Sequence, residues 1–341
     1  MNSSKIIIAV LGAVALLPLA CKTNVEPQAG YVVCAYAACQ DSAEINTQYI
    51  NRIIYSYAEV DTVTCADVVI ENPERFAYVA SLKKERPDLE VMLSLGGNSQ
   101  SLSLALRNDS LRKLVVADCM DIVRNYGIDG IDVDWEWPGR GPKALSRDED
   151  LANFVKLLTE LRAELGPDRL LTIAVSGTGY SADFEAMTPL IDAYNVMTYD
   201  MGWPPDAHHS ALHWSDRTNW LSTDSALTIY SNGGVPGDKI IIGMPFYGHG
   251  IAPYEDYEPY ADFRIEPGCT ERYDSISCVP WIADSAGRMV LTYDNPASIA
   301  LKCDFIKDNK LAGAMYWRIE NDDSLQTLGR TIFEALSPQE K

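Results

Sequence analysis

Short apolar runs alternate with amphipathic segments along most of this chain, and that rhythm constrains its fold more than any other feature. The runs Tyr31–Tyr36, Arg52–Val60, Leu89–Leu95, Leu170–Val175, Tyr194–Tyr199, Lys239–Pro245 and Leu311–Trp317, with the acidic stretch Tyr126–Gly139 in fourth place, read as eight strands. Between them lie helical patterns: one with Phe76, Val79 and Leu82, then Ser110–Tyr126 with Leu111, Leu114, Val115, Ile122 and Val123. Asp148–Leu165, Thr223–Tyr230, Pro296–Lys307 and Ser324–Ala335 follow. Gly166 suits a helix end, and Asn295-Pro296 a cap and first turn. Near-continuous apolar strands belong to a parallel sheet covered on both faces, and eight such units predict an α/β fold, a closed (β/α)8 TIM barrel. An open doubly wound sheet would favour a Gly-x-Gly-x-x-Gly turn after its first strand, and none follows Tyr36. Residues 250–291 break the rhythm; rich in Tyr, Pro, Asp and Glu, they are too long for an ordinary loop and are expected to form a small insertion after strand seven.

The fourth strand is unusual. Asp132, Asp134 and Glu136 alternate with Ile131, Val133 and Trp135, so a strand puts three acids on one face, neighbours about 7 Å apart. Three ionised carboxylates on a buried face repel one another, and at least one is expected to hold a proton near neutral pH. A protonated carboxyl beside ionised ones is what acid catalysis of glycoside cleavage requires. A solvated acidic turn would not explain the apolar alternation, and the spacing lacks the Gly and closing Glu of an EF-hand calcium loop. Asp129 is out of register with the inward face and reads as structural.

Net charge is −20 with a pI near 4.5, which excludes the basic footprint of a nucleic-acid or anionic-membrane binder and suits a neutral polymer. At the N-terminus, Lys5 precedes an apolar run from Ile6 to Leu19 that is too short to span a bilayer. Residues 1–20 read as an export signal, and Ala20-Cys21 resembles a bacterial lipoprotein signal with Cys21 as lipid acceptor, although Pro18-Leu19 departs from the usual pattern. Residues 21–29 read as a tether and 30–338 as the barrel, displayed on the cell envelope (outer membrane or periplasm) or secreted, and held to a membrane only through the lipid. Of eight Cys, assigning Cys21 to lipid leaves seven. Cys269 and Cys278 are the expected disulfide in a loop-rich exported segment, and Cys119 a buried thiol on a helix face. His208-His209 reads as polar loop surface. No zinc-type spacing stands out; neither metal nor cofactor is expected, and a monomer is.

In such a barrel chemistry sits where the strands end. Ser94 with Gly96-Gly97, Asp134 with Glu136, Tyr199 with Asp200, Tyr247, and Trp317 with Glu320 all fall there and describe a polar, aromatic pit. These residues resemble the chitinase-type family 18 glycoside hydrolases. The family's Asp-x-x-Asp-x-Asp-x-Glu motif is matched by Asp129, Asp132, Asp134 and Glu136, and Trp135-Glu136-Trp137-Pro138-Gly139 is similar, with Trp137 where Tyr is commoner. Ser94-Leu95-Gly96-Gly97, Met197-Thr198-Tyr199-Asp200, Gly243-Met244-Pro245-Phe246-Tyr247-Gly248, and Trp317 followed by Asp322-Asp323 match in chain order; His209-Ser210-Ala211-Leu212 is a looser match.

The resemblance implies hydrolysis of β-1,4-linked N-acetylglucosamine polymers or oligomers, with retention and without an enzyme nucleophile, the substrate's acetamido oxygen attacking the anomeric carbon. Glu136 would be the acid and then the base. Asp134 would orient the acetamido N–H, Asp132 would share a proton with Asp134, and Tyr199 would donate to the acetamido oxygen. Trp317 would floor the subsite, and Asp200, Met197, Tyr247, Trp137 and Tyr57 would line it. Trp203 and Trp281 are candidate stacking platforms. An endo-β-N-acetylglucosaminidase acting on N-glycan chitobiose cores and a non-catalytic chitin-binding lectin are the alternatives; retention of Glu136 weighs against the lectin.

Overall fold

The computed structural model describes residues 30–97, 99–140 and 148–337. The expected signal 1–20, the tether 21–29 with Cys21, and Pro338 lie outside them. In chain order the strands are β1 Val32–Ala38, β2 Arg52–Val60, β3 Val68–Ile70, β4 Glu90–Gly96, β5 Gly130–Val133, β6 Leu170–Ser176 and β7 Ala193–Met197. They continue with β8 Ile240–Pro245, β9 Tyr247–Gly250, β10 Asp256–Pro259, β11 Thr270–Asp274, β12 Val279–Ala283, β13 Met289–Thr292 and β14 Gly313–Trp317. The helices are α1 Pro73–Ser81, α2 Ser99–Leu106, α3 Asp109–Tyr126, α4 Asp150–Leu165, α5 Phe184–Met187, α6 Thr223–Asn232, α7 Pro296–Asp308 and α8 Thr327–Leu336.

The strands β1, β2, β4, β5, β6, β7, β8 and β14 pair in parallel, and pairing of β1 with β2 closes the ring. Strand alternation decides what fills it. On β5, Ile131 and Val133 face outward into the apolar layer under the helices, where Phe154, Leu157, Leu158 and Leu161 of α4 are buried, while Asp132 faces the interior. Cys34, Tyr36, Ile54, Met92, Ile241 and Met315 form the inner cluster. Local signals set the helix ends: the Asn108 side chain accepts from the N–H groups of Ser110 and Leu111 ahead of α3, and Asn295 with Ser298 forms a capping box on α7.

The segment expected as an insertion after strand seven lies within a five-stranded antiparallel sheet, in the order β10-β9-β13-β12-β11, that already begins at Tyr247. Strand β11 also overturns the expected disulfide: Cys269 and Cys278 are free thiols. They stand at opposite ends of a five-residue strand, about 17 Å long, against the roughly 7 Å between Cα atoms that a disulfide tolerates. Leu114, read as a core position of α3, is 52% exposed; Val116 and Met120 fill the face instead. Cys119 is buried.

Candidate active site

Asp132 is buried at the heart of the barrel and accepts four donors. Tyr36 Oη and Ser94 Oγ reach Oδ2 at 3.1 and 2.8 Å, while Thr172 Oγ1 and Asn195 Nδ2 reach Oδ1 at 2.6 and 3.1 Å. Burial raises its pKa and these four bonds oppose the rise. They also occupy the lone pairs a carboxylate offers. A proton shared with Asp134, as the resemblance implies, would have to displace one of these donors.

Two residues on, Asp134 lies just past the last ladder residue of β5, 5% exposed, its N–H donating to Leu95 O at 2.9 Å. Burial, then the charges of Glu136 and Asp132, push its pKa well above the carboxylate range, and a hydrogen bond with Tyr57 pulls the other way. Its Oδ1 is buried with no partner among the described residues, an exception to the rule that buried polar atoms are bonded. Gly96 leaves room for the Tyr57 ring against the Asp134 backbone: a Cβ there would lie 2.8 Å from Tyr57 Cδ1 and 2.9 Å from the Asp134 carbonyl oxygen.

Glu136 completes the row. Its side chain is reachable from solvent, yet the surrounding wall desolvates the carboxyl, and burial followed by the Asp200 charge raises its pKa from 4.5 to about 7. Opposite, Tyr199 at the end of β7 feels the charges of Asp200, Asp134 and Glu136, which with burial hold its hydroxyl protonated. Gly243 admits that ring: a Cβ would sit 2.9 Å from Tyr199 Cε1. Trp317 ends β14, stacked on Tyr57 at 6.0 Å between centroids and tilted against Tyr36 at 5.7 Å. The Ser56–Tyr57, Glu136–Trp137 and Trp317–Arg318 peptide bonds are cis.

The inserted sheet supplies the remaining wall. Tyr257 of β10 stacks on Tyr247 at 4.2 Å, and its hydroxyl accepts from Trp317 Nε1 and Asn321 Nδ2, each at 2.9 Å. Asp200 Oδ1 accepts from Tyr247 Oη at 2.5 Å and lies 2.8 Å from His249 Nε2, whose other ring nitrogen is 2.6 Å from Asp256 Oδ1. Burial would raise the pKa of Asp200, but His209 and His249 outweigh it and hold the carboxyl well below its ordinary value.

The arrangement is an acid that keeps its proton to neutral pH, a buried carboxyl with an unpaired oxygen beside it, a phenol across from both and an indole beneath. A family model described as glycosyl hydrolases family 18 matches residues 30–322. The chain belongs to that family. Chitinase C of Streptomyces lividans is 32% identical over 310 residues, covering 78% of this chain and 49% of its own length. Chitinase 1 of Aphanocladium album is 27% identical over 329 residues, covering 81% of this chain and 76% of its own length. Among solved structures, the cell-surface-expressed multi-modular chitinase of a Paenibacillus strain superposes with a TM-score of 0.80 at 26% identity, over 91% of this chain and 43% of that one. A family 18 N-acetylglucosaminidase from Paenibacillus barengoltzii does so at 0.79 and 26%, over 90% of this chain and 100% of that one. The chain thus spans about half the length of several relatives it matches, such as 42% of chitinase A1 of Niallia circulans.

In this family 18 barrel, the expected site residues Asp132, Asp134, Glu136, Tyr199, Tyr57, Trp317, Asp200 and Tyr247 are linked around one pit by the contacts above, with Met197 packed on the inner cluster. Trp137 stands edge-on to Tyr180 at 5.6 Å, and Arg140 covers Tyr180 at 3.7 Å. Trp203, 44% exposed, tilts against His249 at 4.9 Å. Other expectations fail. Trp281 is no platform: it is 5% exposed inside the inserted sheet beneath the Arg217 and Arg272 guanidinium groups. Glu320 is spent on Ala38 N–H, at 3.0 Å, with Arg75 3.7 Å away. His208 and His209 are fully buried, because the loop that carries them is pinned by His208 to Asp274 of β11 at 3.2 Å and by Ser210 to Asp294, between β13 and α7, at 2.6 Å. Asp129 is bound by Lys83 at 2.6 Å and by Val91 N–H at 2.7 Å, outside the pit. Sequence reasoning missed Tyr36, Thr172, Asn195 and Tyr257. A polar side chain at an inward position of an apolar strand was the available signal for Thr172 and Asn195. Tyr257 had none.

Proposed function

We propose that this chain hydrolyses β-1,4-linked N-acetylglucosamine polymers or oligomers with retention, using the substrate's own acetamido group as nucleophile. The observation that carries the reading is the buried Oδ1 of Asp134, unpartnered among the described residues, beside an acid whose pKa is raised to about 7. An unpaired buried acceptor is costly unless a ligand donor fills it, and an acetamido N–H is such a donor. Glu136 gives its proton to the glycosidic oxygen as that bond to C1 breaks. The acetamido carbonyl oxygen bonds to C1, and the positive charge spreads onto an oxazolinium. Asp134 takes the N–H hydrogen bond on Oδ1, the carboxylate that Glu136 becomes on giving up its proton offsets the positive charge, and Tyr199 donates to the acetamido oxygen. Water then attacks C1, losing its proton to Glu136, and the acetamido group is released. Trp317 holds the sugar face through its indole.

The chitinase names of the matched relatives weigh for chitin over N-glycan cores. The test is turnover of chitin oligomers and of a high-mannose glycoprotein by the wild type and by Glu136→Gln, with a thiazoline mimic of the oxazolinium as inhibitor. Glu136→Gln should still bind the oligomer and lose on the order of 10²–10⁴-fold in kcat. Persisting turnover would remove the acid assignment, and indifference to the thiazoline would remove the substrate-assisted step.

A further inference from the structure

The sequence pointed to no metal ligands, yet three groups from separate segments converge on one edge of the pit: Asp200 just after β7, His209 from the loop beyond it, and His249 on β9. One ligand atom of each lies within 4.8 Å of the others, with His249 Nε2 2.8 Å and His209 Nδ1 3.6 Å from Asp200 Oδ1. We propose that these residues form a binding site for a divalent transition ion of the zinc type, reached through the sugar pit.

Zinc bound tetrahedrally at about 2.1 Å sets its ligand atoms about 3.4 Å apart, so of the three pairs the His209 to Asp200 contact already fits, the His249 to Asp200 contact must open by about 0.6 Å, and the two imidazole nitrogens, within 4.8 Å of each other, need only settle at that spacing. The donor set, two imidazoles and a carboxylate with a fourth position left open, is one that zinc accepts. The Asp200 N–H approaches His209 Nδ1 at 3.5 Å, the outer limit of a hydrogen bond, so an ion taking that lone pair would displace only a weak backbone contact. The other ring nitrogen of His209, Nε2, is buried and has no partner among the described residues. Asp256 holds Nδ1 of His249 at 2.6 Å, the carboxylate-to-imidazole support that orients a metal-binding histidine and raises its basicity. The two rings are under 10% exposed, whereas the Asp200 side chain is 46% open, so an ion has an approach and its fourth position can hold water or a sugar hydroxyl. The competing arrangement is a protonated His249 bridging Asp200 and Asp256, which binds no metal.

Equilibrium dialysis of the chelator-treated full chain against Zn2+, with metal counted by atomic emission and Co2+ absorption as a spectroscopic stand-in, separates the two. Mildly alkaline buffer keeps protons from competing for His249. One ion per chain is expected, with tight binding lost in His249→Gln. Asp256→Asn changes a side chain that is 68% exposed and should leave the melting temperature unchanged while weakening binding about 10–100-fold. Failure of the wild type to bind one Zn2+ ion, or binding that both substitutions leave unaltered, overturns the site. If His249→Gln does not fold, the Asp256→Asn titration decides alone. Metal content is read without turnover, so the result stands whatever the substrate proves to be.

Discussion

The pH dependence of kcat/KM tests the proposed chemistry most directly, because the acid must carry its proton in the free enzyme. Burial first, and the Asp200 charge second, lift Glu136 from 4.5 to about 7. The protonated form is the working one, so activity must fall as pH rises through that value, to about half at the midpoint and about a tenth one unit above it. Asp134 is desolvated in the same wall and repels Glu136, so the midpoint belongs to the pair. The measurement is initial-rate kcat/KM on an uncharged chito-oligosaccharide across the neutral range. Asp200→Asn then removes the smaller of the two causes. Its midpoint should move toward acid by less than half the distance between about 7 and 4.5, because burial, the larger cause, remains. The position of the limb is what counts, since Asp200 lines the pit and its loss will also lower the whole curve. A wild-type limb near the ordinary glutamate value, or an Asp200→Asn limb that stays put or moves toward alkali, would refute the electrostatic account of Glu136.

Two further substitutions probe the frame around the acids. Thr172→Val removes the 2.6 Å donor to Asp132 and leaves Asn195 on Oδ1; urea unfolding should show a loss of roughly 1–3 kcal/mol, and an unchanged midpoint would mean that the bond contributes nothing net. Gly96→Ala drives a methyl into the Tyr57 ring and the Asp134 carbonyl; it should cost about 1–3 kcal/mol in the same assay and reduce turnover well beyond that loss of fold, whereas full activity would show that the Tyr57–Asp134 contact does not set the acid's position.

The sequence by itself determined the barrel and the row of acids. Both are local patterns: a period of two along β5 assigns Ile131 and Val133 to the helical layer and Asp132 to the interior whatever the rest of the chain does. The chain-order matches around Ser94, Tyr199, Tyr247 and Trp317 were legible for the same reason, since each sits where an apolar run stops. Only the tertiary structure decided which groups tune those acids. His249 and Asp200 are 49 residues apart, Trp317 and Tyr257 60, and Asp132 and Tyr36 96. His208-His209 read as surface because the pair is polar and lies in a loop, and became interior because a second sheet closed over that loop. Burial and charge act through space, at a few ångströms, while a sequence shows only order along the chain.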